Sequence, residues 1–380
     1  MLGRGWPFCA CALAAVAIAG CTSSGSSSSA VTVSGKTLTI YVSGAPTDQP
    51  AVARDVLDAE KLAWSGSSHQ VGTFTLQMKV LSGPKISDQA RTAIQDQSAI
   101  AYLGEVVPHS SYASIGITNA LDLLQVSPTD TALELTQATP AVSGAPDVYY
   151  QSLSSYARTF ARVVPTSALE AKAQVQEMQS QGVTKLYVAD DGSPYGAAIA
   201  YAVRHEVSGS LTLVNSQAGA DGVFYGSNSI AGAARFFNSV AASDPTAKLF
   251  GPSALDDPSF AADLSGARNV FISAPGFLKS NLTPAGATFV SQFDSTYGHT
   301  PVAQAIFGYE AMSAVLAVLR EAGSAANNRS TVVHDFLSLK RSQSVLGPYS
   351  MDSNGDTSIA PFVFSQLRGG SLVPFVQVQG

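Results

Sequence analysis

Short apolar strands alternate with amphipathic helices from residue 36 onward, and this alternation restricts the fold more than any other feature of the sequence. Residues 36–42, 74–81, 100–104 and 123–127 have the alternating or continuous apolar character of strands, and helical patterns at 50–64, 88–97 and about 111–120 separate them. The pattern then repeats. A helix is expected at 169–181 with Gly182 as its stop, followed by a strand at 185–189, a helix at 195–207 and strands at 211–216 and 223–225. A helix at 230–242 and strands at 248–251 and 269–274 continue it, and a long helix at 303–322 places Met312, Val315, Leu316 and Leu319 on one face. Strands joined through helices must lie parallel, with both sheet faces covered. The expected architecture is therefore α/β, with two doubly wound parallel-sheet lobes joined by a hinge and a change-over near residues 140–155. Ligands of such sheets bind beyond the carboxyl ends of the strands, so two facing lobes form a cleft that closes on its occupant.

Length and composition agree. A chain of 380 residues with 46% hydrophobic residues is long enough for two cores and too apolar to be disordered. Lys and Arg number 21 against 27 Asp and Glu, a net charge of −6 with no basic run, which argues against a nucleic-acid partner. The three cysteines, Cys9, Cys11 and Cys21, all precede the body, so neither a disulfide framework nor a cysteine metal site is expected in it.

Residues 1–20 read as a signal peptide, with Arg4 in the charged region and an uncharged apolar run at 8–18 that is too short for a final membrane span. The run ends in Ile18-Ala19-Gly20-Cys21, which resembles the bacterial lipobox, so Cys21 is the expected lipid (palmitate) attachment site; the competing reading is plain signal cleavage with Cys21 incidental. Residues 21–35, rich in serine, then form a flexible tether. No later segment is long and apolar enough to span a bilayer. The expected location is the cell membrane, with the body lipid-anchored on its extracytoplasmic side.

Catalytic signatures are missing. There is no Walker A loop, no Gly-x-Ser-x-Gly elbow and no His-Glu-x-x-His, and no two of His69, His109, His205, His299 and His334 have metal-ligand spacing. Residues 352–356 (Asp-Ser-Asn-Gly-Asp) resemble a calcium loop but place Gly355 too early and Val363 where the closing Glu belongs, so they read as a turn between strands. No cofactor and no metal are expected.

The order of the segments resembles the type I periplasmic solute-binding proteins, in particular the branched-chain amino acid (Leu/Ile/Val) binding proteins of ABC transporters. The resemblance runs from about Ile100 to the C-terminus. Its blocks are Leu103-Gly104 with Ser110-Ser111; residues 126–131 leading to Glu134-Leu135-Thr136; residues 188–196, ending Pro194-Tyr195-Gly196; residues 221–226; residues 249–253; residues 307–311; and residues 346–356. The family's Gly-rich first loop and Asn-Glu-rich helix have no match here; Ser43-Gly44-Ala45-Pro46-Thr47-Asp48 stands in their place. The family's three inter-lobe crossings imply an N-lobe of 36–150 plus 276–348 and a C-lobe of 151–275 plus 349–380.

The resemblance also implies ligand-binding residues. Ser110 and Ser111, at a helix start, suit an anion such as a ligand carboxylate, or else simply cap the helix. Thr131 matches a residue that binds the ligand through hydroxyl and backbone, and Tyr195 a pocket aromatic; a turn and a core packing role are the alternatives. Asn228 and Ser229 fall where the family has another aromatic ring. Ser253 stands where the amino-acid binders carry an acid that pairs with the ligand ammonium. Asp130 is a candidate replacement if it faces the cleft and a solvated turn residue if it does not. Asp256 and Asp257 follow closely and read as a helix start.

These observations imply a monomeric, lipid-anchored solute-binding protein that captures a small polar ligand (an amino acid such as leucine, an amide or a carboxylate) and hands it to an ABC permease without catalysis. A ligand-sensing module of the same fold that signals to a membrane receptor is the alternative, and an enzyme of this class the third.

Overall fold

A computed structural model describes residues 31–44, 47, 49–151 and 157–380. The signal peptide, Cys21 and most of the tether lie outside the described residues. The first half of the chain runs β1 (Thr37–Val42), α1 (Pro50–Ser65), β2 (Gln70–Val71), β3 (Phe74–Val80), α2 (Ile86–Gln95), β4 (Ala99–Leu103), α3 (Tyr112–Asn119), β5 (Leu124–Ser127) and β6 (Phe160–Arg162). These strands form one six-stranded sheet in the order β2-β3-β1-β4-β5-β6, parallel except for the β2–β3 pair.

The second unit runs α4 (Ser167–Ser180), β7 (Lys185–Asp190), α5 (Pro194–Glu206), β8 (Thr212–Leu213), β9 (Gly222–Gly226), α6 (Ile230–Ser243), β10 (Lys248–Gly251), α7 (Pro258–Ala262) and β11 (Val270–Pro275). The chain then passes through α8 (Pro284–Tyr297), α9 (Ala305–Ala322), α10 (Arg329–Leu337) and the short ladder β12 (Lys340–Arg341) and β13 (Tyr349–Ser350). It ends in β14 (Pro361–Arg368) and β15 (Ser371–Gln379). The second sheet has the order β15-β14-β11-β10-β9-β7-β8, with β14 antiparallel to both its neighbours.

Both lobes have apolar cores, and the cluster around α5 in the second runs on to Ile115, Leu135 and Phe160 of the first. In the first, α1 buries Val52, Val56, Ala59 and Ala63, a helical stripe, against α9, which buries Met312, Val315, Leu316 and Leu319 as the sequence spacing requires. The two helices approach so closely at Gly308 that a Cβ there would lie 2.5 Å from the Val56 carbonyl oxygen, so glycine is needed for this packing. In the second lobe, Tyr195, Ile199 and Val203 of α5 pack with Leu186, Phe224 and Phe250.

Several expectations need correction. The strand expected at 211–216 shrinks to the two exposed residues of β8 at the sheet edge. The lobe boundary expected at 150/151 lies further on, because β6 pairs with β5 and completes the first sheet. The boundary expected at 348/349 also shifts: Tyr349, Met351 and Ile359 are buried in the first lobe's core, and the chain rejoins the second sheet at β14. The turn at 352–356 does form, with Gly355 at φ +88° between the bridged residues Met351 and Thr357. It also carries a buried ion pair that its sequence does not announce: Asp356 Oδ1 lies 2.8 Å from Arg162 Nε. Arg162 is fully buried and also donates to the carbonyls of Asp130 and Ala132 and to Thr136 Oγ1. This knot ties the end of β6 to the chain approaching β14, two of the three stretches that lead from one lobe to the other.

No helix among the described residues is long and apolar enough to cross a membrane.

Candidate functional site

The lobes meet at the carboxyl ends of their strands. From the first lobe, Gln49, which precedes α1, donates from Nε2 to the Ser253 carbonyl at 3.1 Å, and the Ala51 amide donates to Asp257 Oδ2 at 3.2 Å. From the second, Asn228 Nδ2 reaches the Pro108 carbonyl at 3.3 Å. Between these contacts the lobes close on one another, and Gln49, Val52, Val106, Pro108, Thr129, Ser253, Pro275 and Gln304 leave no cavity large enough for a water molecule.

Three of the residues singled out from the sequence converge at this junction. Thr131, after β5, places Oγ1 3.4 Å from the Oγ of Ser253, after β10, so each lobe supplies one hydroxyl. Tyr195, at the start of α5, is fully buried beside both of them and beside Glu170. Its hydroxyl closes a hydrogen bond of good geometry to none of them, and Gln304 Oε1 is a second buried polar atom here without a partner. Unsatisfied buried polar atoms are costly, and two of them beside one junction mark a place where a further hydrogen-bonding group fits. Burial, and after it the Glu170 carboxyl, push the Tyr195 hydroxyl well above the ordinary phenol range. Tyr195 owes its position to Gly196: a Cβ there would lie 2.6 Å from the Gly226 carbonyl oxygen, so this Tyr-Gly pair lets α5 start hard against the end of β9.

Glu170, in the first turn of α4, was invisible to sequence reasoning. Its carboxyl accepts from the Ser253 amide at 2.6 Å, from Ser253 Oγ at 3.0 Å and from Ser273 Oγ at 2.6 Å. Burial raises its pKa to about 7 against the pull of these donors. Ser253 therefore does not leave this wall without an acid, as its uncharged side chain suggested; the acid comes from a helix 83 residues earlier in the chain. Asp256 stands nearby, raised to about 7 by burial and then by Asp257 and Glu170, and Asp257 caps α7 as expected.

The remaining expected residues take other places, Ser110 on the wall of a cavity within the first lobe. The Ser111 amide, at the start of α3, donates to Asp130 Oδ2 at 2.9 Å, while the His109 and Ala132 amides donate to Asp130 Oδ1 at 2.6 and 3.1 Å. The anion at this helix start is thus the chain's own Asp130, which is fully buried. Asp130 is neither a cleft-facing partner for a ligand ammonium nor a solvated turn residue. Ser111 Oγ accepts from the Glu105 amide, and Ser110 Oγ donates to the Val107 carbonyl. Ser229 caps α6 through the Gly232 amide.

This cavity, of about 440 Å³, opens beside the junction, wholly within the first lobe, and shares Val106 with it. Among the described residues no group of three or more His, Cys, Asp or Glu side chains is placed to hold a metal ion.

Residues 210–371 match the model of the family described as periplasmic binding protein. Three solved structures superpose over nearly the whole chain. The leucine binding protein LivK of Thermotoga maritima has a TM-score of 0.73 at 17% identity, covering 90% of this chain and 99% of its own. The branched-chain amino acid transporter substrate binding protein LivJ of Streptococcus pneumoniae, in complex with isoleucine, has 0.71 at 14% identity over 91% and 100%. A solute binding protein of an ABC transporter from R. palustris, in complex with benzoate, has 0.67 at 15% identity over 91% and 96%. No curated protein matches the chain. The fold is that of the type I periplasmic binding proteins, as the sequence resemblance implied.

Proposed function

We propose that this chain is an extracytoplasmic solute-binding protein that captures a small polar ligand between its lobes and delivers it to an ABC transporter, anchored to the membrane through Cys21. The observation that carries this reading is the junction itself. Hydroxyls of Thr131 and Ser253 face each other across the lobes, beside the unpartnered oxygens of Tyr195 and Gln304. Such groups gain partners when a polar solute enters, and a hinge of three crossings lets the lobes separate to admit it. The neighbours' cargoes, isoleucine in one complex and benzoate in another, define the compounds to try first. The reading involves no catalysis: the site is a set of hydrogen-bonding groups, and capture comes from lobe closure.

A thermal-shift screen of the purified protein tests it, using amino acids, amides, ureas and small carboxylates. A true ligand at 100 times its Kd should stabilise the fold by ~2.7 kcal/mol. A panel that leaves the melting temperature unmoved would count against the reading.

A further inference from the structure

The 440 Å³ cavity of the first lobe contains a feature that the inter-lobe site does not use. Glu60, on the face of α1 that also presents Val56 and Leu57, lines it and is only 2% exposed. Its carboxyl has no hydrogen-bond partner among the described residues, although the neighbouring Glu105 collects three: the hydroxyls of Ser43, Tyr102 and Ser114. Glu105 lines the same cavity, is equally buried, and lies close enough for the two carboxyls to repel. Arg54 also lines the cavity but is largely exposed and bonded to Asp55 at 3.1 Å, and Lys61, bonded to Asp58 at 3.0 Å, offsets only a lesser part of what burial does to Glu60; neither donates a hydrogen bond to either carboxyl. A buried carboxyl without a partner is expensive to keep. Glu60, unpartnered beside the hydrogen-bonded Glu105 on one cavity, favours a positively charged hydrogen-bond donor between the two carboxyls, and the walls contributed by Val56, Leu57, Ile86 and Leu103 favour an alkyl stem.

We infer that this cavity binds the cationic end of an alkylamine or alkylguanidine, held by Glu60 and Glu105. The inference rests on the solute-binding reading only for the source of the occupant; the cavity and its carboxyls belong to the first lobe alone. Burial raises Glu105 to about 7 and Glu60 well above the ordinary carboxyl range, the pattern of acids that ionise fully only when a cation joins them.

Calorimetry decides it, with putrescine, agmatine, lysine and arginine set against norleucine, leucine, benzoate, calcium chloride and magnesium chloride, on the wild-type protein and on Glu60→Gln and Glu105→Gln. Glu60→Gln deletes a charge that makes no hydrogen bond, so it should fold and melt no lower than wild type. The expected result is saturable binding of at least one of the amines or guanidines, and its weakening by about 30-fold or more in Glu60→Gln. Glu105→Gln checks the second carboxyl in the same way. Amine binding unchanged in both variants overturns the inference. Binding of only the uncharged or anionic compounds, or of only the metal salts, overturns it too, and the first of these leaves the solute-binding reading standing. Binding of nothing in the panel overturns it together with the amino-acid and benzoate part of that reading.

Discussion

The Ser111 amide and the Asp130 carboxylate meet at 2.9 Å, which makes the start of α3 part of the protein's own frame. Two further amides converge on the same carboxylate, and the Arg162 guanidinium lies close behind. An Asn at this position would point its NH₂ at one of those N–H groups. Asp130→Asn should therefore lower stability by about 2–4 kcal/mol in urea unfolding at neutral pH. An unchanged unfolding midpoint would show that the carboxylate does not hold this loop.

The Arg162–Asp356 pair offers a sharper test of the hinge. Asp356→Ala leaves Arg162 buried without its carboxylate and should cost about 3–5 kcal/mol. Because the charge left behind causes that loss, the double variant Arg162→Met with Asp356→Ala should be less destabilised than the sum of the single changes. A strictly additive double-mutant cycle would indicate that the pair is not coupled.

The strand and helix alternation made both lobes legible, because buried parallel strands and amphipathic helices carry different apolar periods. The closing strand β15 left no such trace, since residues 371–379 mix exposed and half-buried positions. The first lobe boundary was misplaced because β6 is only three residues long and offers no periodicity. Within the site, Thr131, Tyr195 and Ser253 stood out because each falls in a block of sequence that resembles the family's pocket segments. Glu170 and Glu60 did not, since an acid inside a helix reads as a solvated face until the tertiary structure buries it.

Stability should depend on pH through the buried acids. Burial raises Glu105, Glu170 and Asp256 to about 7 and Glu60 well above its ordinary value. In the unfolded chain such carboxyls titrate near 4.5 for Glu and 3.8 for Asp. The folded state therefore holds more protons between those values and 7, and this contribution is complete below about pH 4 and lost as pH rises through 7. Asp96 acts the other way. Partial burial pushes it up, but hydrogen bonds from Tyr41, Ser98 and Lys79 outweigh that and hold it well below the usual range, so its contribution is lost in acid. The melting temperature should peak between about pH 4 and 6 and fall toward pH 8, and Glu105→Gln should flatten the fall. A melting temperature that climbs steadily from pH 5 to 8 would contradict this assignment.

Cys21 lies outside the described residues, but the Ile-Ala-Gly-Cys sequence before a serine-rich stretch gives the anchor a direct test. Cys21→Ala should release the protein from the membrane fraction or leave it unprocessed. Normal processing and unchanged anchoring would exclude lipidation at this residue.

The central claim is that a small solute binds between the lobes at the Thr131–Ser253 junction. Titration calorimetry tests it most directly, using the strongest hit of the thermal-shift screen on wild type and on Ser253→Trp, whose indole blocks the junction between the lobes. The hit should bind wild type saturably, one to one, and fail to bind Ser253→Trp while that variant still melts cooperatively. A hit that binds the folded Ser253→Trp protein as tightly as wild type would place the site elsewhere and contradict the account.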